Sequence, residues 1–527
     1  MIALPKRETK RLVAIHGWSG IVLGLLLYAV VLTGTVAVFA SEIGQWSSGT
    51  TETRSPLTGP VDATLRKLIA ATPAQYREEA SLYATETNQL AVFLHGHVKN
   101  AKGAAIDRGV LWQADRSGRV LSRHEGDGED VFGPDNDSAL AHFLVDLHVR
   151  LHLPNPWGLL LTGVLGMAML VAAISGVLIH RHLFKDIFTL RRRAAPGTVA
   201  RDRHNVAGTW SLPFAFVLAF TGSFFSFAGS FGLPALAMVA FGGNQQVMSE
   251  VLFGVAPAAD ARPVGAANLD RIIADATRRT AVAPNFISMT RVGRADASMT
   301  LYHAPREGRL ATTALIYSGA TGAFQGEKPV LGTKPSFGGK LYDLMAPLHF
   351  GNFAGALSKA VWFGLGFATC YVVFTGMQLW LRRREANAPK LERLDRLVTV
   401  IGFGLPFALS ASALGYLLAS PSDGAVYWTP ASFIIASMLA IGGAMLVDAA
   451  RLGWWLRLGT GVLLVGLPVI RLTLGGPGWD DALAAGQPLL IAVDIGLALA
   501  GGAFLRSLRN GSMAPVRSRD ASLVPAE

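Results

Sequence analysis

Between Trp157 and Ile179 the chain runs without a single charged residue, and histidines stand on both sides of the run: His148 and His152 before it, His180 and His182 after it. At about 1.5 Å per residue such a helix crosses a hydrocarbon core of roughly 30 Å. The chain is therefore expected to span a membrane. Imidazoles at both rims of a span are costly without partners, and neutral imidazole is a good ligand for iron.

Further apolar runs follow the same logic. They cover Leu12–Ala40, Val206–Ala228, Ala356–Leu381, Leu397–Leu418, Ala431–Val447, Trp455–Leu474 and Leu489–Leu505. Mean hydropathy is +0.38, and only 16% of residues are charged. The net charge of +11 would invite a nucleic-acid reading, but the cations sit where the positive-inside rule wants them. Lys6, Arg7, Lys10 and Arg11 precede the first run, Arg181, Lys185 and Arg191–Arg193 follow the second, and Arg382–Arg384 follow the fourth. The expected topology has eight spans with both termini cytoplasmic, and no nucleic acid as partner. The first run is about twice as long as a signal-peptide core, so it reads as an uncleaved anchor.

Two polar stretches interrupt the spans, and they repeat one pattern. After Asp62 comes a helix (ATLRKLIAATPAQY) and then alternating strands (QLAVFLHG, GVLWQADRSGRVLSRH). After Leu269 come LDRIIADATRRT, FISMTRV, SMTLYHA and TALIYSGATGAFQ. The fold class is thus a mainly α-helical polytopic membrane protein carrying two small α+β modules on its outer side. The expected divisions are a first span over 1–41, a module over 42–146, two spans over 147–228, a second module over 229–345, a fourth span over 346–385, and a C-terminal four-helix membrane region over 386–527.

Cys370 is the only cysteine and lies inside an apolar run, which excludes an intrachain disulfide, a C-x-x-C-H haem attachment and a cluster held by this chain's thiolates. His16, His180 and His204 fall on three spans at one, cytoplasmic, depth. His152 and His349 fall at the outer rim, and His148 precedes His152 by one helical turn on the same face. This convergence points to non-covalent haem. His182 lies roughly 200° round a helix from His180 and cannot share its face. His95, His97, His124 and His303 lie in the modules, where histidine is ordinary, and His142 reads as solvated or lipid-bound. Gly20, Gly24, Gly34, Gly163, Gly166, Gly176, Gly222, Gly364, Gly366 and Gly376 are as readily explained by helix contacts in lipid as by approach of a macrocycle. No G-x-G-x-x-G or Walker motif is present, so electrons from NAD(P)H cannot be collected by this chain itself.

The stretches HGWSGIVLGLLLYAVVLTGTVAVFASEIGQW, LHVRLHLP, AISGVLIHRHLFKDIFTLRR, DRHNVAGTWSLPFAF and HFGNFAGALSKAVWFGLGFATCYVVFTGMQLW resemble the PepSY-associated transmembrane family of iron-regulated membrane proteins, in particular its ferric-siderophore reductase branch. The resemblance covers roughly residues 1–385 and makes the outer modules PepSY-like. It implies a bacterial inner-membrane protein with two b-type haems that passes electrons outward to ferric siderophore, releasing ferrous iron. In that reading His152 and His349 hold an outer haem, with His148 as the alternative to His152, and two of His16, His180 and His204 hold an inner one. The donor would be a quinol or a cytoplasmic reductase, and Trp46, Trp112 and Trp157 are candidate substrate contacts. The rival reading is a non-enzymatic PepSY protein, a siderophore permease or a partner-binding scaffold. Every candidate ligand precedes residue 385, so loss of the last four spans is expected to leave haem content intact. A straight helix from His152 to His180 would separate them by about 42 Å, shortened by Pro154 and Pro156.

Overall fold

The structure, a computed structural model, describes residues 5–50, 54–85, 87–99, 105–180, 187–253, 259–305, 312–329, 336–384 and 388–509. His182 and Lys185 lie outside them. Among the described residues seven helices are long and apolar enough to cross a membrane, or eight if the bent pair Lys6–Val22 and Gly24–Ala37 counts as one span. That pair covers the first span expected from the sequence, with its axis turning by 66° at Leu23. The second span runs Trp157–Ile179, as the uncharged run dictates. The third is longer than its apolar core, starting at Pro196 with Pro at its first turn and running to Phe227, then through a wide turn into Leu233–Phe241. The fourth is Gly355–Arg382. The rest are 391–422, Ala425–Leu446, Ala449–Thr473 and Pro488–Arg509.

The chain divides into two compact units, one of Met1–Ala29, Leu178–Thr209 and Cys370–Glu527, the other of Val30–Val177 and Trp210–Thr369. The second holds every strand among the described residues. Its strands are β1 (Glu79–Ala84), β2 (Leu90–Lys99), β3 (Ala105–Ala114), β4 (Val120–Asp127), β5 (Pro284–Thr290), β6 (Ser298–His303), β7 (Thr313–Ser318) and β8 (Phe324–Lys328). The two repeated modules do not form separate sheets. They join through an antiparallel β1–β5 pair, Leu82 opposite Ile287, into one eight-stranded sheet of order β4-β3-β2-β1-β5-β6-β7-β8.

Period-2 patterning explains the sheet's main core, with a smaller cluster of Ala91, Phe93, Leu111 and Val131 on the other face. Leu82, Leu90, Val92, Leu94, Val110, Ile287, Met289, Met299, Leu301 and Leu315 point to one face, where the helices Asp62–Ala71 and Leu269–Thr280 bury Leu65, Leu68, Ile272 and Ile273. Burying such a side chain is worth about 1.5–3 kcal/mol. The two helices cap each other: Leu269 N–H donates to Asp62 Oδ1 at 2.9 Å, while Val61 and Asp62 N–H donate to Asp270 Oδ1 at 2.7 and 3.0 Å. Each carboxylate thus satisfies orphan donors at the other helix's start. The first of these helices ends at Ala71, before Pro73, earlier than the sequence reading had it.

In the first unit the last four spans pack among themselves and onto Tyr28 and Phe374. Tyr28 O–H donates to Gly402 C=O at 3.0 Å, and Phe374 rests on Phe403 with ring centres 5.4 Å apart. A Cβ on Gly402 would come within 2.1 Å of the Phe374 ring, so this crossing requires glycine. Between Ala449–Thr473 and Pro488–Arg509 an ion pair is buried, Arg471 to Asp494 at 2.9 Å, and Trp479 Nε1–H donates to the same carboxylate. A pair in such surroundings is held by its extra hydrogen bonds.

Candidate functional site

The sheet-bearing unit brings His148 and His349 together. Their rings lie 6.1 Å apart, centre to centre, with planes only 25° from parallel. His148 is in the last turn of the helix Ala139–Arg150, and His349 in that of Phe337–Phe350. His148 Nδ1–H donates to the Val30 carbonyl at 2.9 Å. A carbonyl only accepts, so this ring's proton is on Nδ1 and its Nε2 carries a lone pair. His349 Nδ1 lies 2.9 Å from Thr221 Oγ1, and Thr221 spends its own proton on Val217 C=O at 2.7 Å. The hydroxyl must then accept from Nδ1–H, which leaves His349 Nε2 bare as well.

Glycines shape the surroundings. A Cβ on Gly34 would come within 2.6 Å of the His148 ring, and one on Gly222 within 3.1 Å of His349 Cε1. With a metal–imidazole bond of about 2 Å, each ring centre would lie roughly 3 Å from an ion, so two imidazoles holding one ion would have centres about 6 Å apart. The observed spacing, the two bare nitrogens and the glycine cradle all fit a haem iron held by His148 and His349. Among the described residues no group of three or more His, Cys, Asp or Glu is placed to hold a bare metal ion. His148 and His349 would supply the two imidazoles for an iron whose other ligands come from a macrocycle.

His152, the ligand expected from the sequence as His349's partner, is turned elsewhere. The helix ends at Arg150, and both Leu151 and His152 take left-handed backbone angles (φ 52° and 53°). His152 Nε2 therefore meets Phe143 C=O at 3.1 Å, which makes it a donor, and its ring stacks on Phe143 at 4.6 Å. Burial holds its pKa below the ordinary imidazole value in spite of Asp146 nearby.

The other unit holds the remaining three. His204, on Pro196–Phe227, has Nδ1 3.1 Å from Thr375 Oγ1, Thr375 donates to Tyr371 C=O at 2.7 Å, and the imidazole also bonds the Val372 backbone, so Thr375 favours the proton on Nδ1. A Cβ on Gly376 would stand 3.2 Å from His204 Cε1. His16 lies within electrostatic reach of His204. Its neighbours Gly17 and Trp18 pack on Trp380 of the Gly355–Arg382 helix, Trp18 at 5.2 Å ring to ring, and Arg384 caps Trp380 at 3.9 Å. His180, just past the second span, has a buried Nδ1 with no hydrogen-bond partner among the described residues.

Of the candidate substrate contacts, Trp46 is buried at 2% exposure, and Trp112, at 8%, donates its Nε1–H to Thr72. Neither is available to a docked ligand, whereas Trp157 is exposed. The module histidines have structural roles where contacts are seen. His303 bonds Val282 C=O at 2.8 Å, and His97 bonds Asp107 at 2.6 Å. Burial opposes charging His97, yet Asp107 and Glu79 raise its pKa overall. Arg191 is tied to buried Asp202 at 2.6 Å, so it anchors the connection between the second and third spans.

Membrane-crossing helices, an extramembrane antiparallel sheet and paired histidines beside the spans define a polytopic helical membrane protein with a small α+β domain. The chain matches the PepSY-associated TM region family over residues 13–383. It belongs to that family. It is also similar to the uncharacterised protein PA4219 of Pseudomonas aeruginosa, with 30% identity over 295 residues, 53% of this chain and 73% of that protein. The residues that sequence reasoning passed over are Thr221, Thr375 and Val30, which fix the imidazoles. For the two threonines the signal was a hydroxyl directly before a glycine on the third and fourth spans.

Proposed function

We propose that this protein is a di-haem b reductase of the bacterial inner membrane that passes electrons from the cytoplasmic side to ferric siderophore in the periplasm, releasing ferrous iron for uptake. The observation that carries this reading is the His148–His349 pair, with both Nε2 atoms bare at a spacing that suits one iron. His148 and His349 would hold the outer group. His204 with His16 would hold the inner one, and His180 is the alternative to His16. When bound, b-type haem supplies iron that accepts and donates one electron at a time. That matches the one-electron step from ferric to ferrous iron, and ferrous iron is held far less tightly by hard oxygen donors.

The chain's own residues fix tautomers and ring planes, keep water from the imidazoles and provide the membrane path. The electron donor is a quinol or a cytoplasmic reductase. Pyridine haemochrome analysis of the purified protein tests the reading. Two b-type haems per chain, with the low-spin Soret band of bis-imidazole ligation, are expected. One haem, or none after haem-replete expression, would return the chain to the permease or scaffold class.

A further inference from the structure

Each of the four spans before residue 385 carries one Thr-Gly step: Thr33-Gly34, Thr162-Gly163, Thr221-Gly222 and Thr375-Gly376. Two of them meet a histidine in a like way, although His204 also bonds the Val372 backbone and His349 has no such second partner among the described residues. At Thr221-Gly222 the hydroxyl bonds His349 Nδ1 at 2.9 Å, and the glycine faces that ring's Cε1 at 3.1 Å; at Thr375-Gly376 the corresponding distances to His204 are 3.1 and 3.2 Å. In both, the threonine donates to the carbonyl four residues back, at 2.7 Å. The two histidines come from different helices and the two steps lie in different units, so the likeness does not arise from one local packing.

Thr33-Gly34 is a variant. Gly34 faces the His148 ring, but Nδ1 is received by Val30 C=O, which Thr33 Oγ1 also bonds at 3.1 Å. Thr162-Gly163 faces no imidazole, and its hydroxyl lies 2.9 Å from Val149 C=O, next to His148. The dipeptide alone is not the signal. Thr58-Gly59, Thr321-Gly322 and Thr460-Gly461 occur elsewhere, and their glycines face Arg116, Ala267 and Leu505.

We propose that Thr221-Gly222 and Thr375-Gly376 are two copies of one imidazole seat, in which the threonine sets the tautomer of a haem-ligating histidine and the glycine sets the plane of its ring. This inference rests on the di-haem reading. The physical reason is directional. A hydroxyl whose proton is committed to a backbone carbonyl can only accept, so it draws the histidine proton to Nδ1 and leaves Nε2 for iron. Accepting from Nδ1–H also makes the ring a stronger electron donor, which favours the ferric state. Thr221 and Thr375 are therefore positioning residues, each acting on one site.

The experiment is a redox titration of wild type beside Thr221→Val, Thr221→Ser, Thr375→Val and Thr375→Ser, with haem content measured first. Thr221→Val should move the midpoint of one of two waves upward, and Thr375→Val that of the other. Roughly 10- to 100-fold weaker haem retention at the affected site is the expected scale for losing such a partner. Serine, which keeps the hydroxyl, should restore both wave and retention. If the valine variants leave both waves and haem content as in wild type, or if serine fails as badly as valine, the seats are helix packing and the proposal is overturned. A wild type that takes up no haem overturns the functional reading itself and the seats with it, an outcome distinct from an unmoved wave in a loaded protein.

Discussion

The two histidine groups differ in how they are assembled. In the sheet-bearing unit, His148 and His349 come from the last turns of two short helices that are not spans, and they face each other at 6.1 Å. In the other unit, His204 lies near the start of the long helix Pro196–Phe227 and bonds Thr375 of the fourth span, His16 lies on the shorter helix Lys6–Val22 beside Gly17 and Trp18, which pack on Trp380, and the last four spans pack against Phe374, next to Thr375. A histidine pair on helix ends is set by backbone that stops in the right place. A pair on spans is set by how the spans cross. The two sites should therefore fail to different perturbations.

On the proposed di-haem reading, the largest separation should come from removing the proposed ligands themselves. His349→Ala should cost half of the bound haem and abolish reduction of ferric siderophore, while the remaining haem stays reducible from the cytoplasmic side. His204→Ala should also cost half, but leave a haem that dithionite reduces and ferric siderophore reoxidises. Haem-to-protein ratio and reduced-minus-oxidised spectra score both. Equal loss of both haems from either variant would show that the sites are not independent.

The membrane architecture was legible because uncharged runs of about 20 residues allow little else. The pairing of His349 with His148 was legible only as the alternative to a pairing with His152. By spacing, His148 and His152 are one turn apart and share a face, but that holds only while the helix continues. It stops at Arg150, where Leu151 and His152 take φ of 52° and 53°. The warning was present in Pro154 and Pro156, since proline is common just after a helix end. Strand β1 was missed because EASLYA follows Arg77-Glu78 and is too short to show its alternation. Its pairing with β5, some 200 residues away, leaves no periodic trace. The bend at Leu23 lies inside a run whose hydropathy is uninterrupted.

A smaller, one-sided effect should follow from removing the last four spans. The sequence alone predicts no loss of haem, but the structure packs Gly402 and Phe403 onto Phe374, next to Thr375, and ties Tyr28 to Gly402. Truncation after Arg384 should then spare the His148–His349 haem and lower occupancy of the other. Gly402→Ala in the full chain is the milder form. Its Cβ would meet the Phe374 ring at 2.1 Å, and overpacking of this kind costs about 1–3 kcal/mol. A shift confined to the inner haem's spectrum is the expected result. A change in the outer haem alone would reverse the assignment of the two environments.

The smallest effect should be confined to the sheet. Asp296, between β5 and β6, accepts from Arg294 at 2.8 and 2.9 Å and from Arg291 at 3.2 Å, and these bonds bring its pKa from 3.8 to about 2. A depressed carboxylate contributes stability that is complete above its unfolded pKa and is lost as pH falls through the folded value. Between pH 3.8 and about 2, amide hydrogen exchange in 284–303 should accelerate as the carboxylate takes up its proton. Asp296→Asn should remove this pH dependence while leaving exchange near neutrality only slightly faster, because the amide retains some of the bonds to the two arginines. The His204 haem, in the unit without the sheet, should titrate identically in wild type and variant. An acid transition of 284–303 that is unchanged by Asp296→Asn would place the sensitive group elsewhere in the sheet. One that moves the His204 haem as well would show that the two units do not respond separately.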